Sequence, residues 1–298
     1  MAPPPEFLGH YEVVWHSPHM IAIPDGQEIA GTYRVEARLG RGAFGTVYRV
    51  HHRFLGRLAL KVLPYDTDAD LARLAREGKA HAKLAHPNIT RVYDVNVTEL
   101  SGDQFLYIAS EYMSMGNLGS YLNLVSRLEM NEWRTLARDI LGALSYAHDQ
   151  ESPVLHRDIT LANVFVGGTS SHPVFKLGDF GVSVELQDER RVASAAGTLL
   201  FLAPECGFGP YLAESDVYGA AVVLFKALTG TFPFPVGQSE EDPAHYEAKQ
   251  NPQPPSRFLL GCGPDLDAVM LRGLAPNPFD RYRRASDFRC AILDASAT

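Results

Sequence analysis

The sequence is poor in cysteine. Its three, Cys206, Cys262 and Cys290, lie far apart with no CxxC pair, which excludes a disulfide framework and a cysteine zinc site and fits a reducing, cytoplasmic setting. Runs of basic residues are absent, and 35 Asp+Glu against 27 Lys+Arg leave a formal net charge of -8. Neither nucleic acid nor an anionic membrane is an expected partner. Long apolar stretches are missing too. The longest, Val217 to Phe225, is bounded by Asp216 and Lys226 and falls well short of the roughly 20 residues a membrane span needs. The Pro-rich opening, residues 1–6, lacks the basic and apolar regions of a signal peptide, so no export is expected. No repeat appears at a solenoid period. What is present, 298 residues at 46% hydrophobic and 21% charged, suffices to bury a large core in one big domain or two lobes.

Element patterns divide the chain. Residues 1–32 stand apart as an N-terminal extension: Tyr11 to Trp15 and Met20 to Ile23 are rich in β-branched and aromatic types and end at Pro24-Asp-Gly26, which predicts a strand pair or strap closed by a turn, with a regulatory cap as the alternative. His10, His16 and His19 have no Cys or carboxylate at ligand spacing and read as surface residues. From Tyr33 to Met113 the pattern predicts strands at Tyr33–Leu39, Thr46–Val50, Leu58–Leu63, Ile89–Val97 and Phe105–Tyr112, with one helix near Asp70–Ala85. From residue 114 to 298 it turns helical, at Trp133–His148, Ser215–Leu228 and Leu266–Leu274. The expected fold class is α+β: a small β-rich lobe followed by a larger α-rich one.

Four motifs carry chemistry. Gly40-Arg41-Gly42-Ala43-Phe44-Gly45 is a GxGxxG whose glycines let backbone amides approach phosphates. A dinucleotide fold needs a helix next and an acidic residue about 20 positions on; here a strand follows, and Lys61 stands 21 residues after Gly40. The context favours a hairpin flap over a nucleotide, with Lys61 as the phosphate cation. His156-Arg157-Asp158 leads to Asn163, so that a carboxylate can take a hydroxyl proton while an amide holds Mg²⁺. Asp179-Phe180-Gly181 lies 16 residues after Asn163 and offers a hard oxygen to Mg²⁺ bridging β- and γ-phosphates. Ala203-Pro204-Glu205 begins 24 residues after Asp179.

Together and in this order, these motifs resemble the eukaryotic-type (Hanks-type) protein kinase family from about Tyr33 to about Leu293, and the Ala/Arg/Leu-rich style suggests a bacterial serine/threonine member. The resemblance implies the two-lobed kinase fold and an ATP-binding set. Leu39, Gly40, Arg41, Gly42, Ala43, Phe44, Gly45, Thr46 and Val47 would form the flap, with Ala59 above the adenine and Phe165 below it. Ser110, Glu111 and Met113 fall at gatekeeper and hinge; a small gatekeeper at Ser110 predicts an enlarged rear pocket open to bulky ATP-competitive inhibitors. Lys61 would contact the α/β-phosphates and pair with Glu77, nine residues before His86. Asp158 would orient the acceptor hydroxyl, Asn163 and Asp179 would hold Mg²⁺ (Mn²⁺ as an alternative), and Thr198 would hydrogen-bond Asp158 and line the acceptor site. Asp216 would brace the catalytic loop and Arg281 would pair with Glu205, both architectural roles. Ser194, in the segment between Asp179 and Glu205, is the expected loop phosphorylation site, its phosphate gripped by Arg157 and Arg73.

One departure stands out. The family's serine/threonine members carry Lys two residues after the catalytic Asp; this chain has Thr160. A missing cation beside developing charge costs on the order of 2.7–4 kcal/mol if electrostatic donors elsewhere are a guide, so slow turnover is expected. Gly197 to Glu205 resembles the serine/threonine pattern, and the implied activity is ATP-dependent phosphorylation of Ser/Thr in proteins or peptides, with loop autophosphorylation. The alternatives are a pseudokinase-type nucleotide-binding scaffold and a tyrosine or small-molecule phosphotransferase. The acidic stretch Glu240-Glu241-Asp242 would favour basic peptides.

Overall fold

The computed structural model describes residues 22–42, 45–65, 67–100, 102–180, 199–207, 210–236 and 249–296. Residues 1–21, with the two strand-like runs and three histidines of the extension, lie outside it, as do Ser194, Thr198 and residues 240–242.

The small lobe is one antiparallel sheet in the order β1-β2-β3-β4-β6-β5, built from β1 (Glu28–Ile29), β2 (Tyr33–Gly42), β3 (Gly45–His52), β4 (Gly56–Pro64), β5 (Val92–Leu100) and β6 (Asp103–Glu111). Alternation in β4 decides which face does what: Leu58, Leu60 and Val62 are buried in the lobe, so Ala59 and Lys61 face the opposite way, into the space between the lobes. Two register shifts in β2, between Val35 and Ala37 and between Arg38 and Gly40, bend its end over that space. Helix α1 (Asp68–Ala82) starts where Thr67 Oγ1 accepts from the Asp70 amide at 3.1 Å, with Asp68 and Asp70 favourably placed in its first turn. Its Leu74 packs on Leu106 and Ile108.

Two details differ from the sequence pattern. Residues 23–32 join the small lobe: Ile23 and Ile29 are buried with Tyr33 and Val35, and β1 pairs with β2. The fifth strand begins at Val92, three residues later than the composition suggests, because residues 88–90 pair elsewhere. The Leu177 amide donates to the Asn88 carbonyl and the Thr90 amide to the Leu177 carbonyl, tying this stretch to the large lobe.

The large lobe holds α2 (Leu118–Val125), α3 (Met130–His148), the hairpin of β7 (Val164–Thr169) and β8 (His172–Leu177), α4 (Ala213–Thr229), α5 (Pro264–Gly273) and α6 (Ala285–Ala295). The longest apolar run of the sequence is the middle of α4. Every residue from Val217 to Phe225 is buried, as expected of a helix that is apolar all round. Trp133 of α3 donates its indole N–H to the Leu224 carbonyl at 2.8 Å, and Gly230 ends α4 at φ 77°, a left-handed cap. Among the described residues no helix is long and apolar enough to cross a membrane.

Candidate active site

Between the lobes lies a cavity of about 510 Å³. Leu39, Gly40, Arg41 and Val47 line it from the β2–β3 flap, Ala59 and Lys61 from β4, Ser110, Glu111 and Met113 from the end of β6 and the segment after it, Phe165 from β7 and Asp179 from beyond β8. Gly42 pairs with Gly45 across the flap, and Thr46 is buried opposite Val62. A Cβ at Gly45 would collide with the Val62 carbonyl oxygen, so glycine is required for this close approach. Ala43 and Phe44 lie outside the described residues. The cavity extends to Gly78, His81, Thr90, Val92 and Ile108, which continue its wall on the α1 side of Ser110.

The titratable groups of the motifs cluster around Asp179, which lines the cavity. Asn163 donates its amide N–H to both Asp158 Oδ2 and the Asp158 carbonyl at 2.8 Å, and Asp158 Oδ1 is buried with no partner among the described residues. Burial raises the Asp158 carboxyl above its usual range, and the nearby Asp179 charge adds to this, against the opposing pull of His156, Asn163 and Lys61. Lys61 Nζ donates to Asp179 Oδ2 at 2.9 Å. Burial alone would raise the Asp179 carboxyl; the charge and hydrogen bond of Lys61 outweigh it and hold the group below its ordinary value. Lys61 therefore has Asp179 as its partner here. Glu77 lies on α1, and its side chain is not among those described. Arg157 and Asp179 adopt φ of 67° and 58°, a strained conformation for non-glycine residues that clusters at working sites. Gly178 precedes Asp179 because a Cβ there would sit 2.6 Å from Phe165 and 2.7 Å from Thr90. Thr160 is buried.

Supporting groups lie around this centre. Asp216, fully buried, accepts from the amides of His156 and Arg157 at 2.8 and 2.9 Å, from Tyr211 Oη at 2.7 Å and makes a 2.8 Å contact with His148 Nε2. It thereby fixes the backbone immediately before Asp158. Arg281 makes two 2.7 Å bonds to Glu205 and also donates to the carbonyls of Ala275, Pro276 and Glu214. Arg73 pairs with Asp70 at 3.4 Å while its Nη1 is buried without a partner among the described residues.

Three features escape a motif reading. Phe180 sits between two histidine rings, His156 at 4.5 Å and His81 at 5.6 Å, and His81 Nε2 lies 2.9 Å from the Thr90 carbonyl. Helical spacing was the available signal, since His81 follows Glu77 by one turn and shares its face. Lys176 of β8 holds the Glu111 carboxylate at 2.7 and 2.9 Å, linking the two lobes beside the cavity. Lys249 is buried against the segment that precedes Ala203; nothing in its sequence neighbourhood marks it.

The sequence profile of the protein kinase domain matches residues 33–281. The chain is 32% identical over 273 residues to the serine/threonine-protein kinase PknB of Mycobacterium leprae, covering 89% of this chain and 43% of that protein. It is 33% identical over 279 residues to the probable serine/threonine-protein kinase SCO3848 of Streptomyces coelicolor, covering 91% and 41%. The chain thus spans about two-fifths of the length of these relatives. Among solved structures, the kinase domain of Mycobacterium tuberculosis PknI is similar at a TM-score of 0.70 and 29% identity, over 92% of this chain and all of that one. A β-rich lobe over a helical one, the cleft between them and the profile match agree: the chain belongs to the protein kinase domain family.

Proposed function

We propose that the chain is a serine/threonine protein kinase domain that transfers the γ-phosphate of ATP to Ser or Thr hydroxyls of protein substrates in the cytoplasm. Residues 33–113 serve as the nucleotide lobe and 114–298 as the acceptor lobe, with 1–32 as an extension whose residues 23–32 pack into the nucleotide lobe. The observation that carries the reading is the Asp158 carboxylate: Asn163 fixes one oxygen, and the other is buried and unpaired among the described residues. That is the arrangement a hydroxyl-orienting base needs.

The residues present also fit Mg²⁺. Asn163 commits its amide nitrogen to Asp158, which leaves its carbonyl oxygen, and Asp179 has a second oxygen beyond the one Lys61 holds. These hard donors, completed by phosphate oxygens, suit Mg²⁺, and Mn²⁺ as an alternative. Bound metal would neutralise charge on the phosphates. Lys61 would bind the phosphates, Ala59 and Phe165 would enclose the adenine, and Asp158 would orient the acceptor hydroxyl and take its proton. Thr198 is placed in this reading at the acceptor side. Phospho-Ser194 would dock on Arg157 and on Arg73, whose Nη1 has no partner among the described residues, ordering its loop by charge-assisted hydrogen bonds.

Transfer of labelled phosphate from ATP to a Ser/Thr peptide library, with D158N as control, tests the proposal. Label in the wild type and none above background in D158N is expected. Thr160, buried where a lysine is expected, favours a second reading as a nucleotide-binding scaffold, and ATP binding without any transfer would select it.

A further inference from the structure

Among the described residues, two cations are buried to within a few per cent: Arg281 at 1% exposed and Lys249 at 3%. Arg281 meets a carboxylate. Lys249 donates from Nζ to two backbone carbonyls, Leu199 at 2.6 Å and Leu202 at 2.8 Å. Aromatic rings complete the setting. Nζ lies 5.7 Å from the centre of Phe234, Phe234 stacks on Phe232 at 6.2 Å, and Phe232 meets Phe201 edge-on at 5.6 Å.

A buried ammonium costs several kcal/mol unless strong hydrogen bonds offset it. Burial pushes this one down to about 8, against the weaker opposing influence of Cys206 and Glu205. An apolar side chain would fill the space without that penalty. What it could not do is hold two carbonyls three residues apart, which fixes the backbone between them. That stretch, Leu199 to Leu202, follows directly on Thr198, the residue read as lining the acceptor site.

We propose that Lys249 is a positioning residue for the acceptor: by clamping the Leu199 and Leu202 carbonyls it sets the platform on which the substrate's Ser or Thr is presented, without touching the nucleotide. The inference rests on the kinase reading above. Substrate affinity, rather than ATP handling, should depend on it.

The test compares wild type, K249M, K249Q and K249R in peptide phosphorylation and in ATP hydrolysis without peptide. Losing charge-assisted hydrogen bonds to the platform should raise the peptide KM of K249M about tenfold or more, with KM for ATP and the hydrolysis rate within about twofold of wild type. K249R, which keeps charge and fork-like donors, should recover most of the affinity. K249Q should fall between and decides the matter if K249M does not fold. Hydrogen exchange of the 200–202 amides should quicken in K249M and K249Q. An unchanged peptide KM, or equal losses in peptide transfer and hydrolysis, overturns the inference while leaving the kinase reading intact. A wild-type protein that binds ATP and transfers nothing to peptide overturns both.

Discussion

Two sets of carboxylates occupy neighbouring parts of the molecule and are treated in opposite ways. Asp216 and Glu205 are well satisfied: the first has four partners, His156, Arg157, Tyr211 and His148, and the second has three bonds, two from Arg281 and one from Ser215. For both, burial would raise the carboxyl, and the donors outweigh it, His148 foremost for Asp216 and Arg281 for Glu205. Asp179 lines the cavity and Asp158 lies close to it, each with one side-chain donor among the described residues, Lys61 and Asn163. A buried carboxylate with all its lone pairs engaged, as in Asp216, cannot accept a new partner without losing an old one. One with an oxygen to spare can. Residue type does not separate architecture from chemistry here; the count of satisfied lone pairs does.

The sharpest way to break this comparison is to neutralise one member of each set. D158N should cut phosphate transfer by roughly 10³–10⁴-fold, about 4–5 kcal/mol of barrier, with little loss in unfolding free energy, because the carboxyl it removes is poorly satisfied. A urea titration beside the transfer assay reads both quantities. R281M should do the reverse. It leaves the half-buried Glu205 without its cation and takes one donor from each of three carbonyls, so about 3–5 kcal/mol of stability should go, while any protein that remains folded turns over normally. A stable R281M with impaired transfer would dissolve the distinction.

A smaller effect tests the cleft's charge. Around Asp158 the described cations are sparse, Lys61 being engaged with Asp179, and Thr160 supplies none. T160K should speed transfer by about 10²-fold, the equivalent of roughly 2.7 kcal/mol, in single-turnover measurements with saturating ATP. A rate that stays level or drops means another group supplies the charge, and Arg41, which lines the cavity from the flap, would be the residue to replace next.

The well-satisfied and poorly satisfied carboxylates also explain how far the sequence could be read. Lys61, Asp158, Asn163 and Asp179 are legible because the motifs that carry the kinase resemblance set both residue type and spacing, and Asp216, Glu205 and Arg281 because they sit in short strings of recognisable order. The small and large lobes follow from a switch in apolar period from 2 to 3.6. Partnerships set by tertiary packing leave no such trace. Lys176 and Glu111 are 65 residues apart and Lys249 and Leu199 are 50 apart, and neither pair belongs to a motif. The late start of β5 has the same origin, since pairing of residues 88–90 with the large lobe overrides their local β preference.

His81 gives the last and smallest test, and it concerns a neutral group held the way the architectural carboxylates are. Its ring is buried between α1 and Phe180, with Nε2 against the Thr90 carbonyl. Burial pushes its pKa down to about 4 from 6.5, the charges of Lys61 and His156 acting the same way and Asp179 opposing them. The unfolded chain therefore binds a proton at this position before the folded one does. Its contribution to stability is complete above about pH 6.5 and is lost as pH falls toward 4, amounting to about 2 kcal/mol by pH 5. H81L keeps an apolar neighbour for Phe180 and removes the titration. Unfolding free energies measured from pH 7 to pH 5 should then fall less steeply in H81L than in the wild type, by about 2 kcal/mol at the acid end. Identical slopes would mean that the His81 ring is reached by water and protonates in the folded protein as readily as in the unfolded one, and the packing of Phe180 between two histidines would no longer account for its burial.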